Sequence, residues 1–266
     1  MYICPICKQN LALNGKTFSC KNNHCFDVAK QGYVNLINVK EKHSLMPGDN
    51  AQMVNARRSF LQKGYYKRLA DEVCDEIKLR YDAPTVIDAG CCDGYYLGEI
   101  SKNIVGNFYG FDISKDAVKI ASAAHKNASF AVASVAHMPY KDNSADVILR
   151  IFAPYNEKEY SRVLKTDGIL IQVTPGSEHL LQLKRLLYDE VYLNDEKSVL
   201  YGDLTKLRAK RVRYDFVTQS GEDNFNLLTM TPYFYKTPQK SIEKLKRTDG
   251  MTVTADFIVE IYAKKQ

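Results

Sequence analysis

From residue 83 onward the apolar positions alternate between two periods. Short apolar runs of strand type recur at Thr85–Ala89, Phe108–Asp112, Ser129–Ala133, Ala145–Phe152 and Ile169–Thr174. Between them lie segments of helical spacing. These are Tyr95–Lys102, a helix N-capped by Ser114 and running to His125, and Glu157–Leu164. Lys165-Thr166-Asp167-Gly168 reads as the basic last turn and glycine stop of the third helix. Strands alternating with helices predict an α/β fold built on a doubly wound, mostly parallel sheet. Farther on, Leu180–Val191 reads as a helix with Leu180, Leu183, Leu187 and Val191 on one face, and Met251–Tyr262 as the last strand.

Upstream the pattern differs. From Ala51 to Leu79 a helical period runs through Met53, Phe60, Leu61, Leu69, Val73 and Ile77, interrupted near Gly64. Val34–Ile37 reads as a short strand. Lys40–Asn50, with Pro47-Gly48-Asp49, is polar and turn-rich, a linker or a substrate loop. The expected division is a module over residues 1–36, a connector with helices over 37–82, and a catalytic domain over 83–266.

A chain of 266 residues has room for one large α/β domain and a small appendage. No apolar run reaches the length of a membrane span. The start has neither a basic nor an apolar signal region, so the expectation is a cytoplasmic, reducing location. Seven cysteines there are expected as thiols or metal ligands rather than disulfides. The net charge of +6 is uneven. Residues 1–70 carry 11 Lys and Arg against 3 Asp and Glu, and the remainder 26 against 28. A basic end on a near-neutral body suggests a polyanionic partner; a solvated lysine-rich surface is the plainer alternative.

Cys4-Pro5-Ile6-Cys7, then Cys20, His24 and Cys25, place soft ligands within one short segment. Two cysteines across a tight turn can face one ion, and a second pair closes a tetrahedron, as in structural zinc sites. A module with so little apolar content would take its folding energy from the metal. Spacing leaves the fourth ligand open between His24 and Cys25. Lys16, Phe18, Lys21, Phe26, Lys30 and Tyr33 alternate basic and aromatic character, which suits RNA backbone contacts and base stacking.

Val86-Ile87-Asp88-Ala89-Gly90-Cys91-Cys92-Asp93-Gly94 carries the most chemistry. An apolar run ends in an acid, then a loop with two glycines, then a helix. That arrangement brings an adenosyl ligand to the carboxyl end of a first strand. Asp112, at the end of the next strand, can accept hydrogen bonds from both ribose hydroxyls. A dinucleotide loop reads G-x-G-x-x-G; from Gly90, Cys92 and Tyr95 occupy its second and third glycines. A methyltransferase loop, D/E-x-G-x-G-x-G, is matched by Asp88, Gly90 and Gly94, with Cys92 at the middle glycine. S-adenosylmethionine is therefore the expected cofactor. Lys206, Arg208, Lys210, Arg211 and Arg213 form the densest basic cluster of the body, read equally as an RNA contact or as an aggregation-resistant edge strand.

The ordered set Cys4-x2-Cys7, Cys20-x3-His24, Phe26–Leu36, Pro47-Gly48-Asp49, Ala56-Arg57-Arg58-x-Phe60-Leu61, Arg150–Pro154, Thr174-Pro175-Gly176-x2-His179-Leu180 and Met230–Tyr233 resembles the RlmA family. These are large-subunit rRNA guanine-N1 methyltransferases. The resemblance covers nearly the whole chain. It implies a zinc-containing RNA-recognition module on a class I (Rossmann-like) methyltransferase, working as a homodimer. It implies methylation of guanine N1 in a 23S rRNA hairpin near the peptide exit tunnel. It selects His24 over Cys25 as the fourth zinc ligand. It also directs the cofactor to Tyr66, to Cys92 and Asp93, and to His179. Cys92 stands where the family has Gly, and Asp93 where it often has Glu.

Guanine N1 carries a proton that must leave, and no residue in the pattern identifies a base. Phe152-Ala153-Pro154-Tyr155 follows the fourth strand. Tyr155 is a candidate to stack on a flipped guanine, against a core tyrosine. Arg150 is a candidate to polarise guanine O6, against a purely structural pairing. Two other classes are a small-molecule methyltransferase with an incidental zinc ribbon and an RNA-binding protein with a decayed cofactor loop.

Overall fold

A computed structural model describes residues 1–38, 48–196 and 201–265. Residues 40–47 of the expected linker lie outside the described residues. The N-terminal module holds strands β1 (Ala12–Asn14), β2 (Thr17–Ser19) and β3 (Cys25–Asp27) in a small antiparallel sheet. β4 (Tyr33–Asn35) leaves the module and joins the main sheet. Helices α1 (Ala51–Gln62) and α2 (Lys67–Lys78) follow, separated at Gly64. The Asn50 side chain caps α1 by accepting from the Met53 N–H at 3.0 Å.

The body is β5 (Thr85–Ala89), α3 (Tyr95–Asn103), β6 (Asn107–Asp112), α4 (Lys115–Ala124), β7 (Ser129–Val132), β8 (Ala145–Ile151), α5 (Glu157–Val163) and β9 (Leu164–Pro175). Then come α6 (Leu181–Leu187), β10 (Leu204–Val217), α7 (Gly221–Thr229), α8 (Gln239–Lys246) and β11 (Thr252–Lys264). The eight-stranded sheet has the order β10-β11-β9-β8-β5-β6-β7-β4. β9 through β4 run parallel, and β11 and β10 are antiparallel. This is the expected mostly parallel sheet.

Both faces of the sheet are covered, because strand side chains alternate. Val86, Phe108, Val147 and Ile171 pack with Leu69 and Ile77 of α2, Leu97 of α3 and Leu227 of α7. Ile87, Phe111, Ile148 and Leu170 face Tyr160 of α5 and the N-terminal module's Tyr2, Cys4 and Leu11. The Tyr2 ring lies 5.5 Å from Tyr140 and 6.0 Å from Tyr109. The Ile3 N–H donates to the Pro139 carbonyl at 2.9 Å. The module is thus docked on the body by a shared sheet and a shared aromatic core.

Three local expectations change. Lys165–Gly168 does not end a helix; α5 stops at Val163, and these residues belong to β9, where they form an irregularity as the pairing with β8 jumps from Leu164 to Ile169. The helix expected over Leu180–Val191 spans only Leu181–Leu187, because Leu180 adopts a left-handed φ of 59° and Tyr188 is extended. The basic cluster lies on β10, an edge strand, and its cations are taken by carboxylates. Lys206 pairs with Glu260, Arg208 with Glu76, Lys210 with Glu72, Arg211 with Asp256 and Arg213 with Glu178, at 2.5–3.0 Å. The edge position of the expected aggregation-resistant strand is thus present, with its cations paired to carboxylates.

Candidate functional site

The loop between β5 and α3 bends through three left-handed residues, Gly90 (φ 78°), Cys92 (φ 47°) and Gly94 (φ 77°). Gly90 is required twice over. A side chain would be strained at that φ, and a Cβ there would come within 2.8 Å of the Ala153 Cβ. Cys92 holds the backbone of a glycine while carrying a side chain, at an expected cost of about 1 kcal/mol.

Asp112 closes β6 and anchors this loop. Its Oδ2 accepts from the Cys92 N–H at 2.9 Å and its Oδ1 from the Ser114 N–H at 2.8 Å. Burial pushes its carboxyl upward, and these two N–H groups pull it back. Asp88 lies behind the loop, and burial, reinforced by Asp112 and Asp93, raises it to about 8. Burial raises Asp93 to about 6 against the pull of Arg57. The site therefore concentrates carboxyl groups that a bound cation would relieve.

Arg57 of α1 is the cation facing this group. Its guanidinium donates to Asp49 Oδ2 at 2.8 Å and to the Met230 carbonyl at 3.3 Å, while its Nε, buried, has no hydrogen-bond partner. The Asp49 carbonyl in turn accepts from the Ser114 hydroxyl at 2.8 Å. These contacts bring the Asp49, Arg57 and Met230 segments to the rim of the loop.

Across the β8–β9–β11 end lies an aromatic group. Tyr66, at the N-terminus of α2, has its hydroxyl 3.4 Å from His179 Nε2. The Asp256 N–H donates to His179 Nδ1 at 3.2 Å. Nδ1 is thereby an acceptor, which places the imidazole proton on Nε2, directed at Tyr66. Burial drives His179 down to about 3, so the ring is neutral. Asp256 is itself fixed by Arg211, from Nε at 2.7 Å and from a terminal nitrogen at 2.5 Å. Phe152 stacks on His179 with centroids 6.3 Å apart and planes at 20°.

The remaining candidates flank Phe152 in sequence, and Tyr155 is 44% exposed. Tyr155 donates to Glu157 at 3.0 Å and leans on Tyr201 at 5.2 Å. Arg150 donates to Gln172 Oε1 at 2.6 Å and to the Pro154 carbonyl at 3.3 Å. Arg150 is held in a polar chain that continues from Gln172 to Glu260 at 2.7 Å.

In the N-terminal module Cys4, Cys7, Cys20 and His24 bring their ligand atoms within 4.8 Å of one another. Cys7 Sγ and Cys20 Sγ are 3.6 Å apart, and His24 Nδ1 is 3.5 Å from Cys4 Sγ and 3.4 Å from Cys20 Sγ. Zinc bonds of about 2.3 Å to sulfur and about 2.0 Å to nitrogen give tetrahedral edges of about 3.5–3.8 Å. The four residues fit zinc. Cys25 is exposed, and its thiol turns to the Asn23 carbonyl.

The family description "RlmA, N-terminal", a zinc ribbon, matches residues 2–45, and a methyltransferase domain matches residues 87–172. YxjB of Bacillus subtilis (strain 168), a protein assigned to 23S rRNA (guanine-N(1)-)-methylation, is 32% identical over 99% of this chain and 97% of its own length. The chain belongs to the RlmA family. A Streptomyces fradiae 23S rRNA (guanine(748)-N(1))-methyltransferase is 36% identical over 68% of this chain and 65% of that protein. The crystal structure of the [4+2]-cyclase SpnF superposes with a TM-score of 0.50 at 14% identity, covering 83% of this chain and 99% of that one. That likeness concerns the fold alone. As an RlmA-family enzyme the chain is a methyltransferase with a zinc-ribbon module. Among the described residues, no helix is long and apolar enough to cross a membrane.

Sequence reasoning did not single out Asp256, which orients His179. Nor did it give Phe152 a role of its own. The resembling segments do contain Asp49, Arg57, Phe152 and Met230, and that is the signal that was available for them.

Proposed function

We propose that the protein transfers a methyl group from S-adenosylmethionine to N1 of a guanine in a 23S rRNA hairpin near the peptide exit tunnel. It acts in the cytoplasm as a homodimer, with residues 1–36 as the recognition module and residues 83–266 as the catalytic domain. The observation that carries this reading is the loop at Gly90, Cys92 and Gly94, tied to Asp112 on a chain of RlmA-family sequence.

S-adenosylmethionine would supply an already activated methyl, so the protein's share of the rate is alignment. Asp112 has the position to take the ribose hydroxyls. Asp88, Gly90, Cys92, Asp93 and Gly94 form the wall beside it, and Tyr66 and His179 flank its other end. His179 does not accept the guanine proton, because its Nδ1 is taken by a backbone N–H and its Nε2 bears the proton. Cys4, Cys7, Cys20 and His24 hold zinc and shape the module. Exposed Lys8, Lys16, Lys21 and Lys30 on that module supply phosphate contacts.

The glycine-like path of Cys92 argues against a decayed, non-catalytic loop. The test is methylation of hairpin fragments of 23S rRNA by the purified protein, read by primer extension, which stops at N1-methylguanine. A stop at one hairpin guanine is expected. Calorimetric binding of the cofactor without any stop would replace the enzyme reading with a binding one.

A further inference from the structure

Phe152 directly follows β8, at the carboxyl end of the parallel strands. Its φ is 55°, a left-handed conformation that strains any residue with a Cβ. The strain is held in place on both sides. Its N–H donates to the Val173 carbonyl at 3.2 Å, and the next residue, Ala153, is wedged against Gly90 of the cofactor loop. Strained non-glycine residues that persist in a fold cluster at sites of function.

The side chain that this conformation presents is unusual in its surroundings. The ring lies nearly parallel to His179 and 5.7 Å from Phe257. His179, Phe257 and Tyr66 are buried, whereas Phe152 is 39% exposed. A large apolar ring thus lies near-parallel to a neutral imidazole, next to the cofactor loop, and is partly exposed. His179 is buried and offers no face of its own. Tyr155 is engaged with Glu157 and Tyr201.

We propose that Phe152 is the stacking platform for the target guanine. It fixes the plane of the flipped purine so that N1 faces the cofactor loop. The proposal rests on the guanine-methylating reading above and deepens it. Its chemistry is sequence-tolerant, because every base has a π-face; recognition of the hairpin is left to the N-terminal module.

The test uses the full-length protein with S-adenosylmethionine and the 23S rRNA hairpin. Phe152→Ala should lower kcat/KM for the hairpin by about 5- to 150-fold, the equivalent of the ~1–3 kcal/mol that one base–aromatic stack supplies. Phe152→Tyr should stay within about threefold of the parent. Phe152→Leu, which keeps bulk and loses the aromatic face, should fall with Phe152→Ala, and it stands in if the alanine variant does not fold. Cofactor affinity by calorimetry should be unchanged in all three. A hairpin carrying 2-aminopurine in place of the methylated guanine should fluoresce more strongly with Phe152→Leu than with the parent, because the flipped base loses its stack.

Equal activity of Phe152→Leu and the parent overturns the proposal. So does an equal loss in Phe152→Tyr and Phe152→Leu, which would mark a packing role, and so does a matching loss of cofactor affinity. A parent enzyme that binds cofactor but leaves the hairpin unmethylated removes the substrate reading first, and this proposal with it.

Discussion

The backbone N–H of Cys92 donates to the carboxylate of Asp112 at 2.9 Å, across 20 residues of sequence. This bond joins the end of β6 to the turn that opens α3. It also explains how a cysteine occupies a glycine's place. The loop has not shifted outward; it keeps a φ of 47° and holds its N–H on the acid. The cost is conformational and local. Cys92→Gly should therefore relieve about 1 kcal/mol of strain in the fold and leave cofactor affinity and activity within about twofold, because the free loop already carries that strain. Asp112→Ala should weaken binding tenfold or more, because it removes the proposed ribose acceptor and frees the loop. Calorimetric titration of the three proteins checks both. Weaker binding by Cys92→Gly would mean that the thiol contributes to the site.

The parts of this site that were legible in sequence are those whose partners are close in sequence or whose role follows from a strand end. Asp88, Gly90 and Asp112 are of this kind, as are Cys4, Cys7 and Cys20 in one short segment; spacing left the fourth zinc ligand open between His24 and Cys25, and the geometry brings in His24. Arg57 is different. Its partners, Asp49 and Met230, come from a loop and from the end of α7, and no local period announces their meeting. β4 was legible as a strand, but not its parallel pairing with β7, whose residues lie nearly a hundred positions away. The cations of β10 were ambiguous for the same reason. Their charge is written in the sequence, whereas the carboxylates that neutralise them come from α2, β11 and the loop after β9.

Zinc content separates two adjacent residues. His24→Ala should lose the ion and Cys25→Ala should retain one per chain, as measured by metal analysis of the purified proteins. The module's Tyr2 packs on Tyr109 and Tyr140 of the body, so zinc loss should also lower the melting temperature of the whole chain rather than of the module alone. Full zinc in His24→Ala with none in Cys25→Ala would reverse the assignment.

RNA binding should depend on the module's exposed lysines. Deleting residues 1–33 is a poor test, because it removes Tyr33 from β4 and uncovers the body's tyrosines. Charge reversal leaves the fold intact. Lys8→Glu combined with Lys21→Glu should weaken hairpin binding and flatten the slope of log affinity against log salt by about 2–4, while cofactor affinity stays the same. The matching pair on β10, Lys210→Glu with Arg213→Glu, should cost stability and leave that slope unchanged, since both cations already serve carboxylates. A flattened slope in the β10 pair alone would move the RNA to the edge strand.

Cofactor binding should release protons. Asp88 is raised to about 8 by burial and by its acidic neighbours, so in the free protein it is mostly protonated at neutral pH. S-adenosylmethionine is cationic at its sulfonium and its ammonium. A cation bound beside Asp88 stabilises the ionised form and lowers the pKa in the complex. Between the lowered and the raised value the free protein therefore holds more protons than the complex, and affinity must rise with pH across that window. The gain ends near pH 8, where the free carboxyl is already ionised. Asp93, raised to about 6, adds to the release only in the lower part of the range. Calorimetry at pH 7 in buffers of different ionisation enthalpy should show a net release of several tenths of a proton per cofactor. Asp88→Asn should abolish most of that release and flatten the pH dependence above pH 6.5. Proton uptake on binding, or an unchanged release in Asp88→Asn, would show that the cofactor's charge does not reach this carboxyl.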